Sequence, residues 1–314
     1  MIHIVYIPST DNRLGSGHIM WEIFTTFIFS MFVDGMPIWD KTWNNTSIIT
    51  EKAFKKYTTT PLETYNYKLL INQYREWGSL SYLQFITIIK QIKDASQKYK
   101  NILVQLSNVC KIHPDVLCNW YNTNKIKNDI YSLQTKPLIK KLYYEDNAAL
   151  PIRNEFTIHI RRGDLAQWCY DVGFTLNYYT NIINIINTHL DMPIRIYCED
   201  GFTDRGGSRD KKMKYFNYND IMILEKLDNV KIIKGNPLGS DFNAHFNDLC
   251  RSRILMVSPS SFSLWAAFIT DGIVLVDKKN IAARVNLFRY CEEVPNFIVF
   301  DNLKDKMKEI QNKI

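Results

Sequence analysis

The chain has 314 residues, 46% of them apolar and 23% charged, which are values of a globular protein with room for two ordinary domains and exclude a disordered chain. Its net charge of +7 is spread over many short lysine-containing stretches. Such a charge suits an anionic small molecule such as a nucleotide sugar, nucleic acid or an acidic membrane surface and does not by itself choose among them; the dispersal of the basic residues, without a clustered face, disfavours nucleic acid, which is not expected as partner. The six cysteines (Cys110, Cys118, Cys169, Cys198, Cys250, Cys291) form no Cys-x-x-Cys pair, which argues against a zinc site or a disulfide framework and for reduced thiols.

The chain opens on the apolar run 2–7, read as a strand, without a basic region leading into a long apolar segment. A soluble, cytoplasmic protein with no membrane-spanning segment is therefore expected. A polar loop over 8–17 leads into a helix over 18–33, whose apolar run is broken by Glu22, Thr25 and Thr26 and is short for a membrane span. Within the loop, Gly15-Ser16-Gly17 offers two readings: a backbone that an anion or sugar approaches at the helix N-terminus, or a tight turn. It is no Walker loop, since the Lys-Ser/Thr that would follow is missing.

Between residues 50 and 150 the spacing of Leu83, Ile86, Ile89 and Ile92 predicts an amphipathic helix over 81–98, and Ile102-Leu103-Val104 a strand. Polar stretches at 121–129 and 145–151 read as loops, the second as a domain boundary. This divides the chain into domains at 1–150 and 151–300, with a C-terminal helix at 301–314.

The stretch that organises the rest is Phe156-Thr157-Ile158-His159-Ile160-Arg161-Arg162-Gly163-Asp164. Its first five residues read as a strand that ends in two guanidinium groups and a carboxylate. Carboxyl ends of parallel strands face the ligand crevice in open α/β sheets, so Arg161 or Arg162 can meet a charged substrate there. A surface Arg-Asp ion pair is the plainer alternative.

Downstream, the pattern alternates regularly. Helices are predicted over 177–190, 218–227 and 242–250 and from the serine turn to about 269, and strands over 194–198, 230–233, 254–257 and 273–276, which together describe a parallel sheet covered on both faces. Glu199-Asp200 follows one strand end, and no Asp-x-Asp metal signature occurs. Ser260-Ser261-Phe262-Ser263 falls between a strand and a helix, where hydroxyls and backbone N–H groups bind phosphate or simply cap the helix.

Taken together, these stretches resemble the alpha-1,2-fucosyltransferase family, related to the alpha-1,6 and protein O-fucosyltransferases. His159-Ile160-Arg161-Arg162-Gly163-Asp164 is similar to the family's His-x-Arg-Arg-Gly-Asp motif. Asn177-Tyr178-Tyr179 resembles its Tyr-Tyr helix start, Tyr197-Cys198-Glu199-Asp200 its aromatic-Ser-Asp-Asp strand end, and Ser260-Ser261-Phe262-Ser263-Leu264-Trp265-Ala266-Ala267 its Ser-Ser-Phe-Ser-x-Trp-x-Ala signature. The order and spacing of these matches, over residues 155–276, carry the resemblance.

The resemblance implies an α/β fold of GT-B type, two Rossmann-like domains facing a central cleft, with the acceptor side N-terminal and the donor side C-terminal. It implies inverting, metal-independent transfer of fucose from GDP-fucose, which serves as donor substrate with no further cofactor, to a hydroxyl of an oligosaccharide or glycan acceptor, galactose O2 being expected. Carried over by position, Arg161 holds the β-phosphate and stabilises the leaving GDP, with His159, Arg162 and Asp164 beside it. Ser260, Ser261 and Phe262 line the pyrophosphate and nucleoside site, and Glu199 and Asp200 are structural or close to the nucleoside. Where the family has a guanine-binding Asp, this chain has His245, with Asp248 about one helical turn later. In the N-terminal loop Gly15, Ser16 and Gly17 stand where the family handles its acceptor, and His18, Glu22 and Asp11 are candidate bases by location. A different nucleotide-deoxysugar donor, such as GDP-rhamnose, and a non-catalytic glycan or nucleic-acid binder on the same fold are the alternatives.

Overall fold

The computed structural model describes residues 2–7, 33–38, 68–73, 82–99, 101–107, 140, 151–161, 172–199, 221–235, 242–283, 291 and 294–314. Contacts divide the chain into two compact units, Met1–Ala149 and Leu150–Ile314.

In the first unit, strands β1 (Ile2–Ile7), β2 (Met36–Ile38), β3 (Lys68–Gln73) and β4 (Ile102–Ser107) form a parallel sheet in the order β2-β1-β4-β3. Helix α1 (Tyr82–Lys98) turns Ile88, Ile89 and Ile92 inward and leads through a short connection into β4, where Ile102, Leu103 and Val104 are buried. The strand and helix expected at 2–7 and 81–98 are present, whereas β2 and β3 were not foreseen. Pro37 falls within β2, an edge strand of the described sheet, the place where a residue without an N–H is tolerated.

The second unit carries β5 (Arg153–Ile160), β6 (Ile194–Glu199), β7 (Val230–Gly235), β8 (Ser252–Met256), β9 (Ile273–Asp277) and β10 (Phe297–Phe300), all parallel. Their order is β10-β9-β8-β5-β6-β7. Numbered from β5, that is the doubly wound order 3-2-1-4-5-6, in which the chain reverses direction between the first and fourth strands and opens a crevice at their carboxyl ends. Here those strands are β5 and β8.

Two apolar layers hold the sheet. On one face, Phe156, Ile158 and Ile160 of β5 join Tyr179, Ile182, Ile183 and Ile186 of helix α2 (Leu176–His189) in a continuous core. Thr175 caps α2 by accepting the Tyr178 N–H at 3.2 Å. The opposite face meets α3 (Phe242–Cys250) and α4 (Ser261–Ile269), which pack on each other. Residues 264–269 of α4 are all buried, and Phe268 lies 5.5 Å from the Phe297 ring of β10. A helix apolar on every side belongs inside, and burying a large side chain such as Leu264, Phe268 or Ile269 contributes roughly 1.5–3 kcal/mol.

The chain then continues through α5 (Lys278–Ala283) and β10, neither foreseen, to a 3-10 turn at Leu303–Lys306 and helix α6 (Met307–Lys313). Leu303, Met307 and Ile310 enter the same core as α2, so the last segment belongs to the second unit. The helix expected over 218–227 is represented by the 3-10 turn Ile223–Lys226 and the helical residues just before it. Asn229 then adopts φ 61, a left-handed conformation that Asn tolerates, and turns the chain into β7.

Candidate functional site

Alternation along β5 separates its two faces. Phe156, Ile158 and Ile160 go to the α2 core, and the intervening Glu155, Thr157 and His159 are buried on the other side, with Arg161 half-buried at the end. Buried polar groups are costly unless paired, and each of these has a partner from outside the strand. Arg195 pairs with Glu155 at 2.6 Å, and the Ser252 hydroxyl donates to Thr157 Oγ1 at 2.7 Å. His159 Nδ1 meets Ser258 Oγ at 2.6 Å, and Arg161 Nη1 donates to Ser260 Oγ at 3.3 Å. The last two rungs lie at the switch point between β5 and β8, at the carboxyl edge where a ligand crevice is expected.

The residues after β8 are locked by their own hydrogen bonds. Ser260 is extended (φ −137, ψ 130) and caps α4, its Oγ accepting the Phe262 N–H at 3.3 Å. Ser263 Oγ donates to the carbonyls of Ser258 and Ser260 and accepts the Ser258 N–H, each at 3.3 Å. The turn therefore presents the positive end of α4 beside a guanidinium. That pairing favours an anion by dipole and by charge together.

His159 contributes no charge of its own. Burial first, then the neighbouring Arg161 guanidinium and His245, lower its pKa from 6.5 to about 3. At neutral pH the ring is an uncharged hydrogen-bonding group. Its ring centre lies 5.5 Å from that of Phe262 with the planes tilted by 48°, and Phe262 in turn lies 5.3 Å from Phe246.

This depression has a measurable consequence. The unfolded chain takes up a proton at this position below pH 6.5 and the folded chain does not until about pH 3, so acidification favours the unfolded state across that window. At pH 5 the penalty from this group is about 2 kcal/mol, at roughly 1.36 kcal/mol per pH unit. Urea unfolding between pH 5 and 7 is expected to show a shallower pH dependence in His159→Asn than in the parent; equal slopes would contradict a buried neutral ring.

The other expected site residues are placed as follows. His245, half-buried on α3, stands edge-on to Tyr197 at 5.2 Å and is close enough to His159 to act on it electrostatically. Asp248, expected in the donor-binding set, links the start of β5 to Tyr197 of β6, which stands in register with His159. Its Oδ1 pairs with Arg153 at 2.5 Å and its Oδ2 accepts the Tyr197 hydroxyl at 2.8 Å. Burial and this carboxylate push the Tyr197 phenol well above its ordinary range. Both Asp248 oxygens are thus occupied, and His245 is the one of the two that acts on the His159 charge. Ser261 opens α4, and Glu199 closes β6 at the carboxyl edge. Gly15, Ser16, Gly17, His18, Glu22, Asp11, Arg162, Asp164 and Asp200 lie outside the described residues.

Sequence reasoning singled out neither Ser258 nor Asp277. The latter ends β9 on the α2 side, buried, where Oδ2 accepts the Tyr178 hydroxyl at 2.7 Å and Oδ1 the Lys279 N–H at 2.7 Å. The Lys279 ammonium sits 4.8 Å from the centre of the Tyr178 ring. Tyr178, noted above only as part of a helix start, thus ties α2 to the end of β9. Among the described residues no group of three or more His, Cys, Asp or Glu is arranged to hold a metal ion, and no helix is long and apolar enough to cross a membrane.

No family model and no curated protein matches the chain. Among solved structures it is similar to the glycotransferase of kitacinnamycin, with 8% identity and a TM-score of 0.35 over 98% of this chain and 90% of that one. It is also similar to the glycosyltransferase SnogD from Streptomyces nogalater, with 10% identity and a TM-score of 0.30 over 99% of this chain and 94% of that one.

Proposed function

We propose that the chain is a glycosyltransferase that moves fucose from GDP-fucose to a glycan hydroxyl, galactose O2, with inversion and without a metal ion. One observation carries the reading: at the switch point of a doubly wound sheet, a strand-end arginine and a helix-capping serine turn from 99 residues away meet at 3.3 Å. The motif resemblance of both stretches to fucosyltransferases supports the donor and the acceptor class.

In this reading the acceptor oxygen attacks the anomeric carbon of the donor sugar, and the bond from that carbon to the β-phosphate oxygen breaks. The electron pair leaves with GDP, and the acceptor proton passes to a base. Negative charge builds on the departing diphosphate, where the Arg161 guanidinium and the N–H groups at the start of α4 are already aimed, so little reorganisation is needed. Arg161 is suited to the task because its planar fork matches phosphate oxygens. The base is sought among His18, Glu22 and Asp11.

His245 favours a second donor. With both Asp248 oxygens engaged by Arg153 and Tyr197, the described residues of α3 offer guanine the His245 imidazole rather than an unengaged carboxylate. A donor with another base is therefore the rival, beside GDP-rhamnose, which keeps the guanine and changes only the sugar. Diphosphate release measured against a panel of nucleotide sugars decides between them. GDP-fucose is expected to turn over at least tenfold faster than any other donor; a faster second donor overturns the fucose assignment, and no release from any donor removes the transferase reading.

A further inference from the structure

The two rungs at the carboxyl end of β5 do different work. Arg161–Ser260 is the one placed to touch a ligand. The His159–Ser258 rung lies behind it and is buried on both sides, His159 and Ser258 both being almost without solvent contact.

We infer that Ser258 and His159 form a positioning pair: Ser258 fixes the imidazole through Nδ1, and the fixed ring holds the Arg161–Ser260 pair in the geometry that receives a diphosphate. This deepens the reading above and rests on it for the identity of the ligand.

Three contacts carry the inference. The imidazole is two residues before Arg161 on the same face of β5, so any tilt of the ring acts on the guanidinium beside it. It is bonded to Ser258 on one side of Ser260 and packs against Phe262 on the other, at 2.6 Å and 5.5 Å, so it braces the serine turn from both ends. The turn cannot easily yield by itself, because Ser263 Oγ already bridges the Ser258 and Ser260 carbonyls. A ring held in this way is a wall of the site. The uncharged state of His159 agrees with that role, since a second cation behind Arg161 would repel it.

The neighbouring rung supplies a control. Thr157–Ser252 is equally buried and lies on the same face two residues further from the edge, and Ser252 can turn its hydroxyl proton to the Asp248 carbonyl, 3.1 Å away, if Thr157 is replaced by Val. Binding of inorganic pyrophosphate and of GDP to the full-length chain is measured by calorimetry, with thermal unfolding alongside. Ser258→Ala is expected to weaken pyrophosphate about tenfold, while Thr157→Val lowers the unfolding temperature by a similar amount without weakening it more than twofold.

Asn carries its amide near the position of Nδ1 and Gln near that of Nε2. His159→Asn is therefore expected to lose about threefold in pyrophosphate affinity and His159→Gln tenfold or more. The inference is overturned if the parent binds no pyrophosphate, if Ser258→Ala stays within twofold of the parent, or if Gln serves better than Asn, which would make His159 a direct ligand contact. The expected pattern with pyrophosphate, in a chain that binds neither GDP nor any nucleotide sugar, upholds the positioning pair and removes only the donor reading.

Discussion

Arg161→Ala is expected to lower sugar transfer by about a hundred- to a thousandfold, the scale seen when a donor aimed at developing transition-state charge is deleted. The reason lies in where the residue stands. Arg161 follows the last residue of β5, is half-buried, and reaches Ser260 at the head of α4, so it contributes little to the apolar layers. Its loss is expected to change unfolding free energy by no more than about 1 kcal/mol, the worth of one partly exposed hydrogen bond. Arg161→Lys keeps the charge but not the planar fork and is expected to recover only part of the rate. Comparing kcat and donor KM for the three proteins with their urea midpoints separates chemistry from folding. Turnover near that of the parent in the alanine variant would mean that the diphosphate sits elsewhere.

The second large effect is expected at the opposite end of the same sheet, and in stability. Gly272 lies flat against the start of β8. A Cβ there would fall 2.1 Å from the Ser252 carbonyl oxygen and 2.7 Å from that of Arg253, both backbone atoms that cannot swing aside. The turn is pinned on every side: the Gly272 N–H donates to Thr270 Oγ1 at 3.0 Å, Thr270 Oγ1 donates to the Ser252 carbonyl at 3.4 Å, and Asn296 Nδ2 donates to the Gly272 carbonyl at 2.7 Å. Gly272→Ala must therefore push β9 and β8 apart at a point where both are fully packed. A loss of about 3 kcal/mol or more is expected, at the upper end for overpacking because backbone rather than side chain must move. Thr270→Val, which removes one hydroxyl without adding bulk, is expected to cost about 1–2 kcal/mol. Equal urea midpoints for Gly272→Ala and the parent would show that the turn does not approach the strand this closely. The two substitutions thus test opposite ends of one layer. Loss of Arg161 removes function from an intact sheet, whereas the added methyl at 272 disturbs the sheet first.

Much of the second unit is legible along the chain because its elements are locally periodic. β5, β6, β8 and β9 are short β-branched or apolar runs, and α2 repeats its apolar residues at helical spacing, so their limits follow from neighbours within a few residues. Apart from β3, whose six residues mix apolar and polar side chains, the elements that escape are too short to display a period. β2 is three residues containing Pro37, α5 is one and a half turns that begin with two lysines, and β10 is a four-residue apolar run that reads equally well as part of a loop. Each exists because a neighbouring strand or turn offers it partners, which is tertiary override of a weak local preference.

The candidate site divides along the same line. Residue order alone marked Arg161, His159 and the serine turn, since a strand that ends in a guanidinium and a turn rich in hydroxyls are both local facts. That they meet was not local. His159 and Ser258 are 99 positions apart, as are Arg161 and Ser260, and they come together only because β8 enters the sheet beside β5 rather than beside β6. Asp248 belongs with them. Its spacing from His245 places it one helical turn away on α3, and the fold joins it to Arg153 at the start of β5 and to Tyr197, the residue of β6 that stands in register with His159. What the chain decides by itself is the chemistry available at each position and the period with which it repeats. Strand order and helix placement decide which of those groups share a hydrogen bond, because pairing across a sheet depends on the direction and register of the crossovers, and neither leaves a mark in a window of ten residues.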